Sequence, residues 1–202
     1  MTKIWGEKFD RIRFLMTQDL NTPVTFLVQS PEEVVDAILA IKSDKASIRT
    51  YSTGFETRSK TPFHPNIPKA EAQEKALELL KNRDYAVMVC EGVPIEDTEI
   101  SAISIVQADD IYTEYAEGPG TVRRLSMGQV TPKRITYNKF SDIALDPRIE
   151  KVMIILSRLH CMDIMFEWSW CNHPVGLKRQ NCMFWEWMNE GPSAYFEGWN
   201  QR

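Results

Sequence analysis

Apolar and polar positions change their period partway along the chain. Residues 6–18, GEKFDRIRFLMTQ, space Phe9, Ile12, Arg13 and Met16 as one face of a short helix, which Asn21-Thr22-Pro23 ends. A strand from Val24 to Gln29 follows. Ser30-Pro31-Glu32-Glu33 then opens a second helix, with Ser as cap, Pro in the first turn and Glu33 completing a capping box. It runs to about Lys42 and is expected to bury Val34, Val35, Ile38, Leu39 and Ile41. Ala46 to Tyr51 reads as a strand that delivers Arg49 to a long polar stretch, Ser52 to about Pro68. Lys69 to Arg83, KAEAQEKALELLKNR, is an amphipathic helix of strong intrinsic propensity.

Beyond Arg83 a period of two takes over. Tyr85 to Cys90 is a buried strand that breaks at Glu91-Gly92-Val93-Pro94. Strands around Ile100 to Gln107, Ile111 to Ala116 and Val122 to Met127 predict an antiparallel meander. Thr131-Pro132-Lys133-Arg134 reads as a loop. Asp146 to His160 is a helix with Asp146 as cap and Pro147 in its first turn. The chain then enters DIMFEWSW and NCMFWEWM, two aromatic strands joined through His173-Pro174-Val175-Gly176, a hairpin. The expected class is α+β: an N-terminal α/β lobe over residues 1–84 and a second lobe over 85–202 built on an antiparallel sheet.

That hairpin carries the most specific chemistry. If it pairs symmetrically about Gly176 and Leu177, alternation puts Met165, Glu167, Ser169, Phe184, Glu186 and Met188 on one face. Phe166, Trp168, Trp170, Met183, Trp185 and Trp187 fall on the other, a core face. Glu167 and Glu186 then sit opposite each other, a pairing that destabilises unless something compensates. A bridging divalent cation does so, since Mg²⁺ takes one or two carboxylates and fills its shell with water and phosphate oxygens. A register one residue away, or two solvated surface glutamates, is the plainer alternative. The same pairing brings Cys171 and Cys182 together near His173, compatible with a disulfide, a metal or two reduced thiols.

Composition narrows the classes. The chain has 202 residues, 43% of them apolar, and six tryptophans, enough for a sizeable core. A net charge of −4 and a pI near 5.5 give no general attraction to nucleic acid or an anionic membrane. No apolar run reaches the length of a membrane span and the N-terminus has no apolar signal region, so a cytoplasmic location is expected. Four cysteines show no CxxC spacing. No GxxxxGK[ST] loop occurs, so the stretch from Ser52 to Pro68 is either a flap over phosphates or a surface excursion.

Taken in order, these segments resemble the ATP-grasp nucleotide-binding domain of the phosphoenolpyruvate synthase and pyruvate phosphate dikinase type. Gly6-Glu7-Lys8, Leu15, Leu20, Pro23 and Phe26 resemble that family's GGK opening and GLxVPxGF; Ser47 to Ser52 resembles its VRSS strand. Val87 to Glu91 is similar to its adenine-contacting hinge strand, and Tyr112 to Ile135 to its GLGE and SGxVTPDxY segment. Asp163 to Trp168 resembles DIEW, and Met183 to Met188 its last strand. The resemblance implies an ATP-grasp-like fold and two ligands, ATP and Mg²⁺. It implies that Lys8 and Arg49 contact phosphates and act in catalysis, Glu91 and Val93 the adenine, Glu99 or a neighbour the ribose, and Glu167 and Glu186 the metal. Departures accompany it: the family's Arg-Pro after the last strand is Met188-Asn189 here, VRSS is IRTY, and neither the phosphohistidine domain nor the pyruvate-binding barrel is present in the 202 residues.

Two functions follow as expectations. One is an ATP·Mg-dependent protein, a ligase or phosphotransferase, that passes a phosphoryl group to a carboxylate or histidine. The other is a non-catalytic adaptor or inhibitor that keeps the fold and binds a protein partner through the aromatic C-terminal region. For single residues the plainer readings are a solvent-facing helix lysine for Lys8, helix-dipole capping for His160 and an exposed loop for His64. An ADP-ribosyltransferase, suggested by Arg49 and Ser52-Thr53, lacks a Glu-x-Glu on a late strand.

Overall fold

A computed structural model describes residues 7–52, 61–120, 125, 129–138, 140, 145–159 and 164–188. Among these the element order is α1 (Glu7–Thr17), β1 (Thr25–Val28), α2 (Pro31–Ala40), β2 (Lys45–Ser52), β3 (Phe63–Pro68), α3 (Lys69–Leu80), β4 (Tyr85–Glu91), a 3₁₀ turn (Ile95–Asp97), β5 (Thr98–Val106), β6 (Asp110–Glu117), β7 (Lys133–Asn138), α4 (Pro147–Ser157), β8 (Ile164–Val175) and β9 (Gln180–Met188). The strands form two antiparallel sheets, one ordered β1-β4-β2-β3 and the other β7-β6-β5-β8-β9. No helix among the described residues is long and apolar enough to cross a membrane.

Local chemistry explains the starts of the helices. The Ser30 hydroxyl accepts from Glu33 N at 3.2 Å, and the Glu33 carboxylate reaches back to Gln29 N at 2.7 Å. α2 buries Val34, Ala37 and Ile38 against the first sheet, while Leu39 stays 74% exposed and Val35 is also exposed. Its apolar stripe is therefore narrower than the sequence suggested. α3 adds Ala72 and Ala76 to the same layer, over Ala46, Ile48, Val87 and Val89. Small residues there let the helix lie close to the strands.

The five-stranded sheet puts Ile100, Ala102, Phe166, Trp168, Cys182 and Phe184 against Ile149, Val152, Met153 and Leu156 of α4. Polar atoms in this layer are paired: the Trp168 indole donates to Ser104 Oγ at 2.8 Å, and the Ser104 and Thr113 hydroxyls lie 2.8 Å apart. Leu15 and Leu20 extend the same core, so α1 packs on β9 although it precedes the first sheet in sequence.

Several expectations change. Two strands lie where loops were expected. β3 occupies residues 63–68 of the long polar stretch, an edge position at which Pro65 costs no ladder hydrogen bond on its outer side. β7 begins at Lys133, within the expected Thr131–Arg134 loop. The strand expected over Val122 to Met127 falls almost wholly outside the described residues. β4 completes the first sheet, so the passage from one sheet to the other lies between Glu91 and Thr98, later than a boundary after residue 84. Among the described side chains of α1 the buried positions are Ile12 and Leu15, while Arg13 and Met16 face solvent.

The two sheets are joined by the chain between α1 and β1. Asn21 is buried, and its Nδ2 donates to the carbonyls of Val175 at 2.9 Å, Gln180 at 3.3 Å and Cys182 at 2.7 Å. Its Oδ1 accepts from Lys178 N at 2.8 Å. Backbone bonds from Leu177 N to Thr22 O and from Phe184 N to Asn21 O, both 2.8 Å, complete the join. Gly176 is required at this point. Its φ is +79°, and a Cβ there would stand 2.7 Å from Thr22 O and 2.8 Å from Asn21 Oδ1.

Candidate functional site

Direct cross-strand partners share a face of a sheet, and the register therefore lays out one row of side chains across the second sheet. Arg134 pairs with Glu114, Glu114 with Ile103, Ile103 with Glu167, and Glu167 with Glu186. Three carboxylates lie in this row on the face away from α4. Its ends are cationic: Arg134 Nε meets Glu114 Oε1 at 2.9 Å, and Arg11 Nη1 meets Glu186 Oε1 at 2.9 Å. The Arg11 and Glu186 side chains are only 12% and 16% exposed, so their pairing is sheltered from water.

The Glu167–Glu186 pairing is thus the expected one, but the rest of the hairpin is not symmetric. A bulge between Glu167 and Trp168 inserts Trp185, so Trp168 pairs with Phe184, Ser169 with Met183 and Trp170 with Cys182. Phe184 moves to the core face, whereas Met183 and Trp185 move to the Glu167 side, where the Trp185 indole donates to Ser169 Oγ at 2.8 Å. The bulge also separates the cysteines. Cys182 lies in the α4 core and Cys171 beside Val93 and Met183; both are free thiols, and no disulfide joins them. Burial pushes the Cys171 thiol up to about 12, with Asp97 and Glu99 adding to the effect, and holds Cys182 well above its ordinary value.

β2 of the first sheet comes near one end of this row, since the Glu186 charge acts on Tyr51. Arg49 and Tyr51 alternate with Ile48 and Thr50, so they face away from α2 and α3. The Arg49 guanidinium lies 4.9 Å from the centre of the Phe63 ring, and its charge reaches the Tyr51 phenol. Burial raises the Tyr51 phenol; Arg49 opposes that rise, while Cys90 and Glu186 reinforce it. Glu186 thereby lies within electrostatic reach of the first sheet. Ile12 packs with Met88, Cys90, Leu27 and Tyr51, so α1 places Arg11 where the two sheets meet.

The other expected residues are distributed around this junction. Glu91 is buried at the end of β4; its amide donates to Val24 O at 2.7 Å, and its carboxylate lies 3.5 Å from Val24 N and 3.7 Å from Arg179 Nη1. Val93 packs on Cys171 and Met183. Glu99 receives Arg148 Nη1 at 3.0 Å and acts electrostatically on Cys171, which ties it to the Val93 cluster. Lys8 falls in the first turns of α1, with its side chain outside the described atoms. Residues 53–60 of the expected flap, His160 and the aromatic stretch from 189 on also lie outside the described residues.

The structure therefore pairs Glu167 with Glu186 and sets Glu186 within electrostatic reach of Tyr51, two residues along β2 from Arg49; Val93 and Glu99 lie around Cys171, and Glu91 at the end of β4. Arg11 and Tyr51 are the members that the sequence did not single out. Tyr51 could have been found from its i, i+2 spacing to Arg49; Arg11 had no signal beyond a charge on a partly apolar helix. The donor set suits a hard divalent cation, with two carboxylates on adjacent strands and room in its shell for water or phosphate oxygens. Among the described residues no group of three or more acidic, His or Cys side chains is arranged to hold a metal.

No protein-family model matches the chain, and no curated protein matches its sequence. Solved structures do match it. The macrocyclase MdnC from Microcystis aeruginosa MRC, bound with precursor peptide MdnA, has a TM-score of 0.53 at 15% identity, over 95% of this chain and 53% of that one. A RiPP-associated ATP-grasp ligase from Chryseobacterium gregarium, in complex with ADP and a leader and core peptide, has a TM-score of 0.53 at 12% identity, over 95% and 54%. ACD1 of Ca. Korarchaeum cryptofilum, in complex with coenzyme A, has a TM-score of 0.54 at 12% identity, over 89% and 90%. The chain spans about half the length of the first two chains and nine-tenths of the third. With two sheets of mixed α+β layering and these neighbours, the fold of this chain is ATP-grasp.

Proposed function

We propose that this chain binds ATP with Mg²⁺ at the junction of its two sheets and passes a phosphoryl group to a carboxylate or histidine acceptor. The narrower likeness to the phosphoenolpyruvate synthase type, carried by the sequence segments, supplies the histidine alternative. One observation carries the reading: Glu167 and Glu186 form a cross-strand pair, and Glu186 acts electrostatically on Tyr51, two residues along its strand from Arg49. Phosphoryl transfer needs little covalent chemistry from a protein and much positioning of charge, with cations on the phosphate oxygens and carboxylates on the metal. A bound Mg²⁺ would neutralise phosphate charge as it develops. Arg49, and Lys8 from α1, would bind and orient the triphosphate. Glu91 and Val93 would line the base, with Glu99 near the ribose. That the Chryseobacterium ligase is in complex with ADP supports a nucleotide as a ligand of this fold.

The test is calorimetric titration of ATP with Mg²⁺ into the wild type and into Glu167→Gln/Glu186→Gln, with ATP alone as control. Metal-dependent binding in the wild type and its loss in the double variant are expected. Absence of heat and of any rise in melting temperature at millimolar nucleotide would sink the proposal.

A second reading, a non-catalytic adaptor that binds a protein partner, draws on two ion pairs. Arg11 engages Glu186 and Arg148 engages Glu99, which gives two of the nucleotide-directed carboxylates partners within the chain. ATP·Mg binding with no phosphoryl transfer to any carboxylate or histidine acceptor is the outcome that would favour it.

A further inference from the structure

We infer that Arg11 is the built-in counter-cation of the Glu167–Glu186 pair, and that a divalent cation reaches the pair only by displacing its guanidinium. The inference rests on the reading of these carboxylates as a cation site and adds how entry to that site is controlled.

Two carboxylates opposed across antiparallel strands repel each other. The bond from Arg11 to Glu186 offsets this with a charge that no accessible pH removes. The arginine is held for the purpose. Ile12 beside it is buried against Met88 and Cys90 of the first sheet, and Leu15 one turn on is buried in the core of the second. Both contacts fix the roll of α1 and with it the position from which Arg11 reaches Glu186. A dication and a guanidinium on one carboxylate would repel strongly at a site so little exposed to solvent, so the two compete. Once displaced, the guanidinium remains tethered by α1, whose Ile12 packs with Tyr51 of the first sheet, where a polyanionic ligand would need positive charge.

The experiment is a Mn²⁺ titration followed by electron paramagnetic resonance, without nucleotide, on the full chain and on Arg11→Gln, with circular dichroism melting as the check of folding. Arg11→Met, which keeps the apolar stem, serves beside it should the glutamine variant fail to fold. Removal of the guanidinium should tighten Mn²⁺ binding at least about tenfold, the scale of one charge-assisted hydrogen bond. Adding Glu186→Gln to the variant should abolish the gain. Equal Mn²⁺ affinity with and without the guanidinium, including no bound Mn²⁺ in either, overturns the inference. The result separates from that of the nucleotide titration: a Mn²⁺ gain with no ATP heat leaves Arg11's role standing without the nucleotide, and ATP·Mg heat with no Mn²⁺ gain does the reverse.

Discussion

Asp146 caps α4 through Oδ1, which accepts Arg148 N at 2.8 Å, and grips the Arg148 side chain, with Nη2 at 2.7 Å from Oδ2. The arginine depresses the Asp146 carboxyl to about 2, and the aspartate in turn raises the guanidinium. A folded-state pKa below the unfolded one, near 4, means stability that is present above pH 4 and lost as pH falls toward 2. Asp146→Asn keeps the cap and removes the charge. It should lower stability by about 0.5–1 kcal/mol at pH 7, a modest figure because a third of each side chain is exposed. The gap between variant and wild type should close between pH 4 and pH 2 in urea unfolding; a gap independent of pH would contradict the assignment. This cap was legible in the sequence, since Asp-Pro before an apolar periodic run has few other meanings. Arg11 was not, because a charge on a helix reads the same whether it meets solvent or a carboxylate 175 residues away.

The β8–β9 hairpin shows where periodicity stops being informative. Its existence, its two strands and the opposition of Glu167 and Glu186 follow from alternation and from the turn residues, but counting cannot detect one extra residue in a ladder. Inserting Trp185 exchanges the faces of Met183 and Phe184 without changing the pattern of letters. The consequence is measurable. Phe184 is 1% exposed and meets Phe166 edge-on at 6.3 Å between ring centres, so Phe184→Ala should cost about 3–5 kcal/mol in chemical unfolding. A loss under 1 kcal/mol would place Phe184 on the other face and return the hairpin to symmetry. β3 and β7 went unread for other reasons. Two prolines argue against a strand unless it is an edge, and edge status is a property of the sheet rather than of FHPNIP. In β7 the alternation of Ile135 and Tyr137 was the available signal, masked by Thr131-Pro132 before it.

Across the whole molecule, the buried Asn21 amide is a central part of the join between the two sheets. Asn21 satisfies three carbonyls and one backbone amide of the hairpin, and its removal orphans them together. Asn21→Ala should lower stability by about 3 kcal/mol and uncouple the lobes. In the wild type, tryptophan fluorescence, which reports chiefly on residues 168–187, and far-ultraviolet dichroism should share one midpoint; in the variant they should part. Coincident transitions with a loss below 1 kcal/mol would show that the lobes are held elsewhere. The join was invisible in the sequence, where Asn21-Thr22-Pro23 announces only the end of a helix. It also orders events in time. Asn21 finds its partners up to 161 residues downstream, so during synthesis α1 and the residues after it must wait until the last hairpin emerges. Until then Ile12, Leu15 and Leu20 have only part of their final surroundings. Closure of so distant a contact is slow, and residues 7–23 are among the last to become native.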